Sequence, residues 1–228
     1  MRSTANSLVL FDIDGTLMRG AGVHHKNALV DGIRKVTGHA TTLEGVSTAG
    51  MLDRDLIISM LHAQSSQRKI RQNLRTIMQE CASSYLRDCT ADLTPFLCRG
   101  VSTVLATLRS LDITLGLVTG NLAEIGWRKV ELAGIRSFFS VGAFAEDGLS
   151  RARLAQVAAH RARRMKLADR TTKVSLIGDH TNDVAAAKAN GFQSIAVASG
   201  VLTAQELALA GPDVLVEHLE ALDLSALT

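Results

Sequence analysis

Polar side chains that could do chemistry occur in three short segments of the sequence. Asp12 and Asp14 are two residues apart, so both side chains point to the same side of an extended chain. Asp179 and Asp183 are four apart, which puts them on one face of a helix that starts there. The third segment, Thr119-Gly120-Asn121, offers a hydroxyl, a flexible backbone and an amide. Taken singly, each segment is also typical of an ordinary turn or helix cap.

The combination of these segments indicates metal-assisted chemistry on a phosphate. Four carboxylates in one site repel one another unless a cation neutralises them, and oxygen ligands suit Mg²⁺. In such a site Mg²⁺ usually binds one or two carboxylates together with a substrate phosphate. The acidic residues therefore predict a Mg²⁺ site that a phosphoryl group completes, provided that the fold brings the three segments together.

Five short apolar runs are typical of buried strands in a parallel sheet, because they are continuous rather than alternating. The runs are Leu8–Phe11, Ile113–Val118, Val174–Ile177, Ser194–Val197 and Val214–Val216. Segments of helical periodicity lie between them, and this alternation predicts an α/β fold with a doubly wound parallel sheet. Ligands bind at the carboxyl ends of the strands in such sheets, and the polar segments follow the first three runs. They are therefore expected to meet at one edge of the sheet.

Residues 18–96 interrupt this pattern directly after the first predicted strand. They contain no strand-like run, and their apolar residues recur at helical spacing in stripes that begin near residues 29, 52 and 70. Gly38 is expected to end the first helix, and Thr94-Pro95 marks the break before the α/β pattern resumes. The sequence thus predicts a helical cap of residues 18–96, inserted into a core of residues 1–17 and 97–228.

The ordered segments resemble motifs one, two and four of the haloacid dehalogenase-like hydrolase superfamily. The residues that carry the resemblance are Phe11-Asp12-Ile13-Asp14-Gly15-Thr16-Leu17, Thr119-Gly120-Asn121 and Gly178-Asp179 followed by Asp183. The helical insertion after motif one resembles the C1-type cap of that family. The resemblance implies a Rossmann-like core, a Mg²⁺ cofactor and an aspartyl-phosphate intermediate.

The same resemblance implies catalytic roles for motifs one and two. Asp12 would be the nucleophile, and Asp14 the acid/base that protonates the leaving oxygen and then activates water. Thr119, with the backbone amides of Gly120 and Asn121, would hold the phosphoryl oxygens. A carboxylate nucleophile fits this chemistry because it divides a difficult hydrolysis into two steps.

A metal site is implied by motifs one and four. Asp12, the Asp14 carbonyl and Asp179 would bind the Mg²⁺, with Asp183 supporting the site. Such a site suits phosphoryl transfer, which needs positioning and charge neutralisation more than covalent chemistry.

The third motif departs from the family pattern. It is usually a lysine, often before a proline, between motifs two and four, but no Lys-Pro occurs in this chain. Arg151 and Arg153 are the candidates, and Arg151 is favoured because it opens the helix before the Val174–Ile177 run. The alternative is that both arginines are solvated surface residues, as most arginines are.

The segment 50–54 lies between the first two predicted cap helices, where this family's substrate-reading loop would lie. Arg54 is therefore a candidate for binding an acidic group of the substrate. A helix-surface ion pair of Arg54 with Asp53 or Asp55 is the alternative interpretation. The adjacent His24 and His25 are interpreted as polar residues at a helix start rather than as a metal pair, because adjacent side chains diverge.

Composition excludes several other classes of protein. The chain has 228 residues, and it contains no apolar run near the ~18 residues that a membrane span requires. Three cysteines without C-x-x-C spacing indicate reduced thiols and a cytoplasmic protein. The net charge of +3 owes much to the basic stretch of residues 151–166, which is interpreted as a solvated helix face. No nucleic-acid partner is expected, since the sequence has one Trp and one Tyr for base stacking.

The predicted function is hydrolysis of a small phosphorylated metabolite by a Mg²⁺-dependent phosphatase, with phosphoglycolate or a sugar phosphate as candidates by resemblance. A phosphomutase would share these residues and differ in excluding water. A dehalogenase is disfavoured, because Asp14 supplies an acid/base that halide departure does not need. A non-catalytic binding or regulatory module is the alternative from another class, and the intact set of four aspartates argues against it.

Overall fold

A six-stranded sheet forms the centre of the computed structural model, which describes residues 7–44, 46 and 48–227. All neighbouring strands are parallel, in the order β3-β2-β1-β4-β5-β6. The strands are β1 (Ser7–Phe11), β2 (Thr114–Val118), β3 (Val141–Ala143), β4 (Lys173–Gly178), β5 (Gln193–Val197) and β6 (Val214–Val216). The structure thus has the predicted Rossmann-like α/β fold, and the five apolar runs correspond to β1, β2, β4, β5 and β6.

Helices cover both faces of the sheet. The core helices are α4 (Val101–Ser110), α5 (Ala123–Leu132), α6 (Arg151–Arg164), α7 (Thr181–Ala189) and α8 (Ala204–Leu209). Side chains of β1 alternate between the two faces. Leu8 and Leu10 belong to the apolar cluster that contains α6, and Val9 and Phe11 to the one that contains α4. Burial on both sides explains why β1 is continuously apolar.

The cap consists of three helices between β1 and α4. They are α1 (Val23–Thr37), α2 (Asp53–Leu61) and α3 (Gln67–Asp88), and a short 3₁₀ helix, Thr94–Phe96, follows. Helix α1 ends where predicted, because Gly38 adopts φ +74° and donates its N–H to the carbonyl of Arg34 at 2.9 Å. Among the described residues of the insertion, the regular elements are therefore helices, as the periodicity indicated.

Two chain segments connect the cap to the core, and they run side by side. The N–H of Arg19 donates to the carbonyl of Phe96 at 2.8 Å, and the N–H of Cys98 to that of Leu17 at 2.9 Å. Between them Met18 and Leu97 form an antiparallel bridge. The chain therefore leaves and re-enters the core at neighbouring points.

Within the described ranges, no helix combines the length and the apolar character needed to cross a bilayer. All three cysteines are free thiols.

Candidate active site

The predicted chemical residues meet at the carboxyl edge of the three central strands. Asp12 follows β1, Thr119 follows β2 and Asp179 follows β4. Because β2, β1 and β4 are neighbours in the sheet, their ends form one floor. A cavity of about 390 Å³ lies between this floor and the cap helices, and residues from the strand ends and from α1 and α2 line it. That volume suits a small-molecule ligand.

Three carboxylates form the acidic centre of this floor. Asp12, Asp179 and Asp183 are all buried, and an oxygen of each lies within 4.8 Å of the others. Burial and the neighbouring carboxylates of Asp12 and Asp183 raise the pKa of Asp179 to about 8. Burial and Asp12 likewise raise the pKa of Asp183 to about 7, against the opposite effect of Arg151. Asp179 and Asp183 are therefore protonated more readily than an isolated aspartate.

Arg151 supplies one compensating charge from the first residue of α6. Its Nη1 donates to Oδ1 of Asp12 at 2.9 Å and to the carbonyl of Val118 at 3.3 Å. Its Nε lies 3.2 Å from Oδ1 of Asp183. When all three carboxylates are ionised, one guanidinium leaves an excess of negative charge, so the donor set fits a divalent cation such as Mg²⁺.

Arg153, the other candidate for the third motif, lies elsewhere. It is turned to solvent on α6 and bonds the side chain of Gln156 at 2.5 Å. The two arginine side chains therefore point in different directions from α6, with Arg151 toward the sheet and Arg153 toward solvent. Most of the remaining basic stretch is exposed, as predicted for a solvated face.

Gly15 and Thr16 bring motif one against Asp179. A Cβ on Gly15 would lie 2.1 Å from Oδ2 of Asp179, and the φ of Gly15 is +90°, so only glycine fits this turn. The hydroxyl of Thr16 donates to Oδ1 of Asp179 at 3.2 Å. The tight Asp-Gly-Thr turn thus holds motifs one and four in contact.

Asp14 faces the cavity without joining the acidic centre. Its carboxylate is 44% exposed and accepts hydrogen bonds from Lys129 Nζ, at 2.7 Å to Oδ1 and 2.6 Å to Oδ2. Asn121 Nδ2 donates to Oδ2 at 2.8 Å. Partial burial alone would raise the pKa of Asp14, but the charge of Lys129 and the hydrogen bonds from Lys129 and Asn121 lower it below its usual value. The carboxylate is therefore held in its ionised form.

The segment after β2 is tightly organised around Thr119, which is buried. Asn121 Nδ2 donates to the Thr119 hydroxyl at 2.6 Å, and the Asn121 backbone N–H approaches the same oxygen at 3.4 Å. Gly120 lies directly under the cap, since a Cβ there would be 2.2 Å from the carbonyl oxygen of Met51. Thr119, Gly120 and Asn121 all line the cavity.

The cap contributes its own polar residues to the cavity. His25 of α1 and Asp53 of α2 line it and bond each other, with His25 Nε2 2.8 Å from Oδ2 of Asp53. Arg19 and Lys26 also line the cavity. Arg54 is not among the described residues that line it, so the structure does not bring this predicted substrate-binding residue to the cavity wall. Its neighbour Asp53 points inward instead.

Lys129, His25 and Asp53 were not predicted as site residues. Lysine in an amphipathic helix usually points to solvent, but Lys129 follows the buried Ile125 by four residues and Gly126 by three. That spacing puts Lys129 on the buried face of α5, which is the sequence signal for its role. His25 does lie in the first turn of α1, as predicted, yet its contacts come from α2 and α5, which local sequence cannot indicate.

Three features together define a class of capped α/β hydrolases. They are a carboxylate at the end of the first strand of a parallel sheet, an acidic cluster beside it and a helical cap above. The chain belongs to the haloacid dehalogenase-like hydrolase family, whose sequence model matches residues 7–191.

One curated relative is the phosphoglycolate phosphatase of Synechococcus elongatus. It is 35% identical over 133 residues, which cover 58% of this chain and 59% of that protein. The aligned stretch thus spans less than two thirds of the relative.

Solved structures share the fold over almost the whole chain. A predicted phosphatase from Clostridium acetobutylicum superimposes with a TM-score of 0.68 at 18% identity, covering 95% of this chain and 96% of that one. A β-phosphoglucomutase from Clostridium difficile does so with a TM-score of 0.66 at 15% identity, covering 98% and 95%. At these identities the likeness concerns the fold.

Proposed function

We propose that this protein is a Mg²⁺-dependent phosphatase that hydrolyses a small phosphate monoester through a covalent intermediate on Asp12. The observation that carries the proposal is the pairing of two different aspartates at one cavity. Asp12 is buried, bound to Arg151 and surrounded by carboxylates, whereas Asp14 faces the cavity and is bound to Lys129. Such unlike environments separate a nucleophile from an acid/base.

In the first step, a carboxylate oxygen of Asp12 attacks the phosphorus of the ester. The bond between phosphorus and the ester oxygen breaks, and the leaving oxygen takes a proton from Asp14. Because Asp14 is ionised in the free enzyme, it must take up that proton when the anionic ester binds. Arg151, already bonded to Asp12, stabilises negative charge beside the nucleophile. The Thr119 hydroxyl, in the same cavity, holds a phosphoryl oxygen.

In the second step, water hydrolyses the aspartyl phosphate. Asp14, now ionised, accepts a proton from the water as its oxygen attacks phosphorus, and the bond to Asp12 breaks. Phosphate leaves, Asp14 releases the proton it gained from water, and both aspartates return to their starting ionised state. General acid and base catalysis of this kind contributes about 10²–10⁴ in rate.

The metal would be held by Asp12 and Asp179, with the Asp14 carbonyl as a further ligand and Asp183 in support. When bound, it neutralises the charge of the cluster and of the phosphate that approaches it. The mutual proximity of the carboxylates and the raised pKa values of Asp179 and Asp183 support a divalent cation there.

The substrate is proposed to be small and anionic beyond its phosphate. The cavity volume of about 390 Å³ favours a small metabolite, and Arg19 and Lys26 on its wall favour a second negative group. Phosphoglycolate meets both conditions and is named in the cyanobacterial relative; a sugar phosphate is the other candidate. The three free cysteines are consistent with a cytoplasmic enzyme.

The test is a screen of phosphorylated metabolites for phosphate release, with Mg²⁺ and with EDTA. We expect turnover of a small ester that requires Mg²⁺ and disappears in Asp12→Asn. Undiminished turnover by Asp12→Asn would contradict the covalent mechanism. Conversion of a sugar phosphate to its isomer without phosphate release would instead identify a phosphomutase.

A further inference from the structure

Lys129 has no access to solvent, and its ammonium group is fully engaged. Its side chain is 0% exposed. Besides Asp14, Nζ bonds Oδ1 of Asn121 at 2.7 Å and Nδ1 of His25 at 3.1 Å. An ammonium group has three donors, so the carboxylate, the amide oxygen and the imidazole nitrogen satisfy all of them.

His25 extends these contacts into the cap. With Nε2 donating to the Asp53 carboxylate at 2.8 Å, the ring presents Nδ1 as the acceptor that Lys129 requires. Asp53 also accepts the backbone N–H of Leu122 at 2.7 Å, and its own N–H donates to the carbonyl of Gly120 at 2.8 Å. The chain of contacts from Asp53 through His25 and Lys129 to Asp14 therefore crosses from cap to core and is anchored at both ends.

We propose that Lys129 is a positioning residue that orients the Asp14 carboxylate toward the scissile bond, and that His25 and Asp53 couple this orientation to the seating of the cap. The proposal rests on the proposed function, because it assigns Asp14 the acid/base role. Lys129 itself is not among the described residues that line the cavity, so it acts through Asp14. If the cap separates from the core, Lys129 loses its contact with His25 and Asp14 loses part of its support.

The geometry argues against a role in folding alone. Removing one partner of a buried ion pair is costly when it leaves a buried charge, but the side chain of Asp14 is 44% exposed and water can solvate it. Methionine also approximates the shape of lysine, so Lys129→Met keeps the packing. A methionine at position 129 would leave Asp14 with the single donor of Asn121. The carboxylate, open to the cavity on its other side, would then be free to rotate.

The test compares two substrates whose leaving groups differ in their need for a proton. For an alkyl phosphate the leaving oxygen must be protonated, whereas 4-nitrophenolate departs without help. The measured quantity is kcat/KM, which covers the steps up to departure of the leaving group. For Lys129→Met we expect a loss of about 10²-fold or more with the alkyl phosphate, the scale of general acid catalysis, and less than about tenfold with 4-nitrophenyl phosphate.

His25→Gln provides an independent variant, because it leaves Lys129 in place. We expect the same asymmetry at about tenfold, with His24→Gln, the exposed neighbour on α1, retaining parental values for both substrates. Thermal unfolding of each variant shows whether it is folded.

Equal losses for the two substrates in a folded Lys129→Met, or in His25→Gln if the first variant does not fold, would overturn the inference. The proposed function would stand in that case, provided the parent enzyme is active and Asp12→Asn is not. A parent enzyme without Mg²⁺-dependent turnover would overturn the proposed function instead.

Discussion

Arg151 and Asp12 form a buried ion pair, with Nη1 of the arginine 2.9 Å from Oδ1 of the aspartate. The two residues are 139 positions apart in sequence and come from the start of α6 and the end of β1. The burial of Arg151 opposes its charge, but Asp12 and Asp183 together raise its pKa above its usual range. The proposed nucleophile therefore always has a cation beside it.

We expect Arg151→Met to lower kcat/KM by about a hundredfold or more, because it removes a charge that stabilises the transferring phosphoryl group. Arg153→Met is the matched control, since this arginine lies on the same helix and is exposed. Phosphate release measured for both variants decides between them. Similar small losses at the two positions would show that Arg151 is not the third-motif cation.

Asp179→Asn should mainly weaken metal binding. The substitution removes one negative charge from the cluster and leaves Asp12 with its bond to Arg151. We expect the Mg²⁺ concentration for half-maximal activity to rise by about tenfold or more, measured by Mg²⁺ titration of phosphate release. An unchanged Mg²⁺ requirement would exclude Asp179 as a ligand.

The metal-free protein should lose stability as the pH rises from about 4 to about 8. The folded state raises the pKa of Asp179 to about 8 and that of Asp183 to about 7, from the usual 3.8, so it binds protons that the unfolded chain has released. We expect the melting temperature in EDTA to fall by about 5 °C or more across this range. Saturating Mg²⁺ should reverse the fall, and Asp179→Asn should reduce it. A melting temperature in EDTA that rises with pH would contradict the electrostatics of the cluster.

Gly50→Ala should impair the seating of the cap. A Cβ at Gly50 would lie 2.3 Å from Nδ1 of His180, at the start of α7, and the backbone there has φ +67°. Gly134→Ala is the control, because Gly134 has φ +70° but no neighbouring atom within 4 Å. Both variants should lose about 1–2 kcal/mol of stability from the left-handed backbone. Only Gly50→Ala should also lose activity, by about tenfold in kcat/KM. Equal activity in the two variants would show that this contact does not matter for catalysis.

Lys26→Ala and Arg19→Ala should change the preference among substrates. Both side chains line the cavity, so their removal should penalise esters with a second negative group by about tenfold relative to neutral ones. Arg54→Ala is the control, because Arg54 is not among the described lining residues. A substrate profile altered by Arg54→Ala and by neither of the others would restore Arg54 as the specificity residue.

Most of the sheet could be predicted because burial on both faces demands continuous apolar strands. Strand β3 was missed, since Val141–Ala143 has three residues with a glycine at its centre and no run of its own. It exists because the exposed edge of β2 offers hydrogen bonds to Val141, Gly142 and Ala143. Pairing partners, rather than local sequence, determine such a strand.

The residues of the candidate site could be predicted to different extents. Asp12, Asp14, Asp179 and Asp183 stand at strand ends or helix starts, where parallel topology fixes their position. The contacts of Lys129 and His25 depend on how α5 and the cap pack together, and no local pattern encodes that distance. Arg54 shows the same limit. Neighbouring residues of α2 point in different directions, and the packing of the helix turns Asp53 toward the cavity instead of Arg54.

The placement of the cap between β1 and the rest of the core has a consequence for synthesis on the ribosome. Strand β1 is complete at residue 11, but its neighbours β2 and β4 begin only at residues 114 and 173. The helices of the cap, by contrast, are complete at residue 88 and make contacts with one another. The contacts among the cap helices therefore involve only residues that are synthesised before the neighbours of the apolar first strand. Until its neighbours are made, the unpaired backbone groups of β1 are open to pairing with other chains.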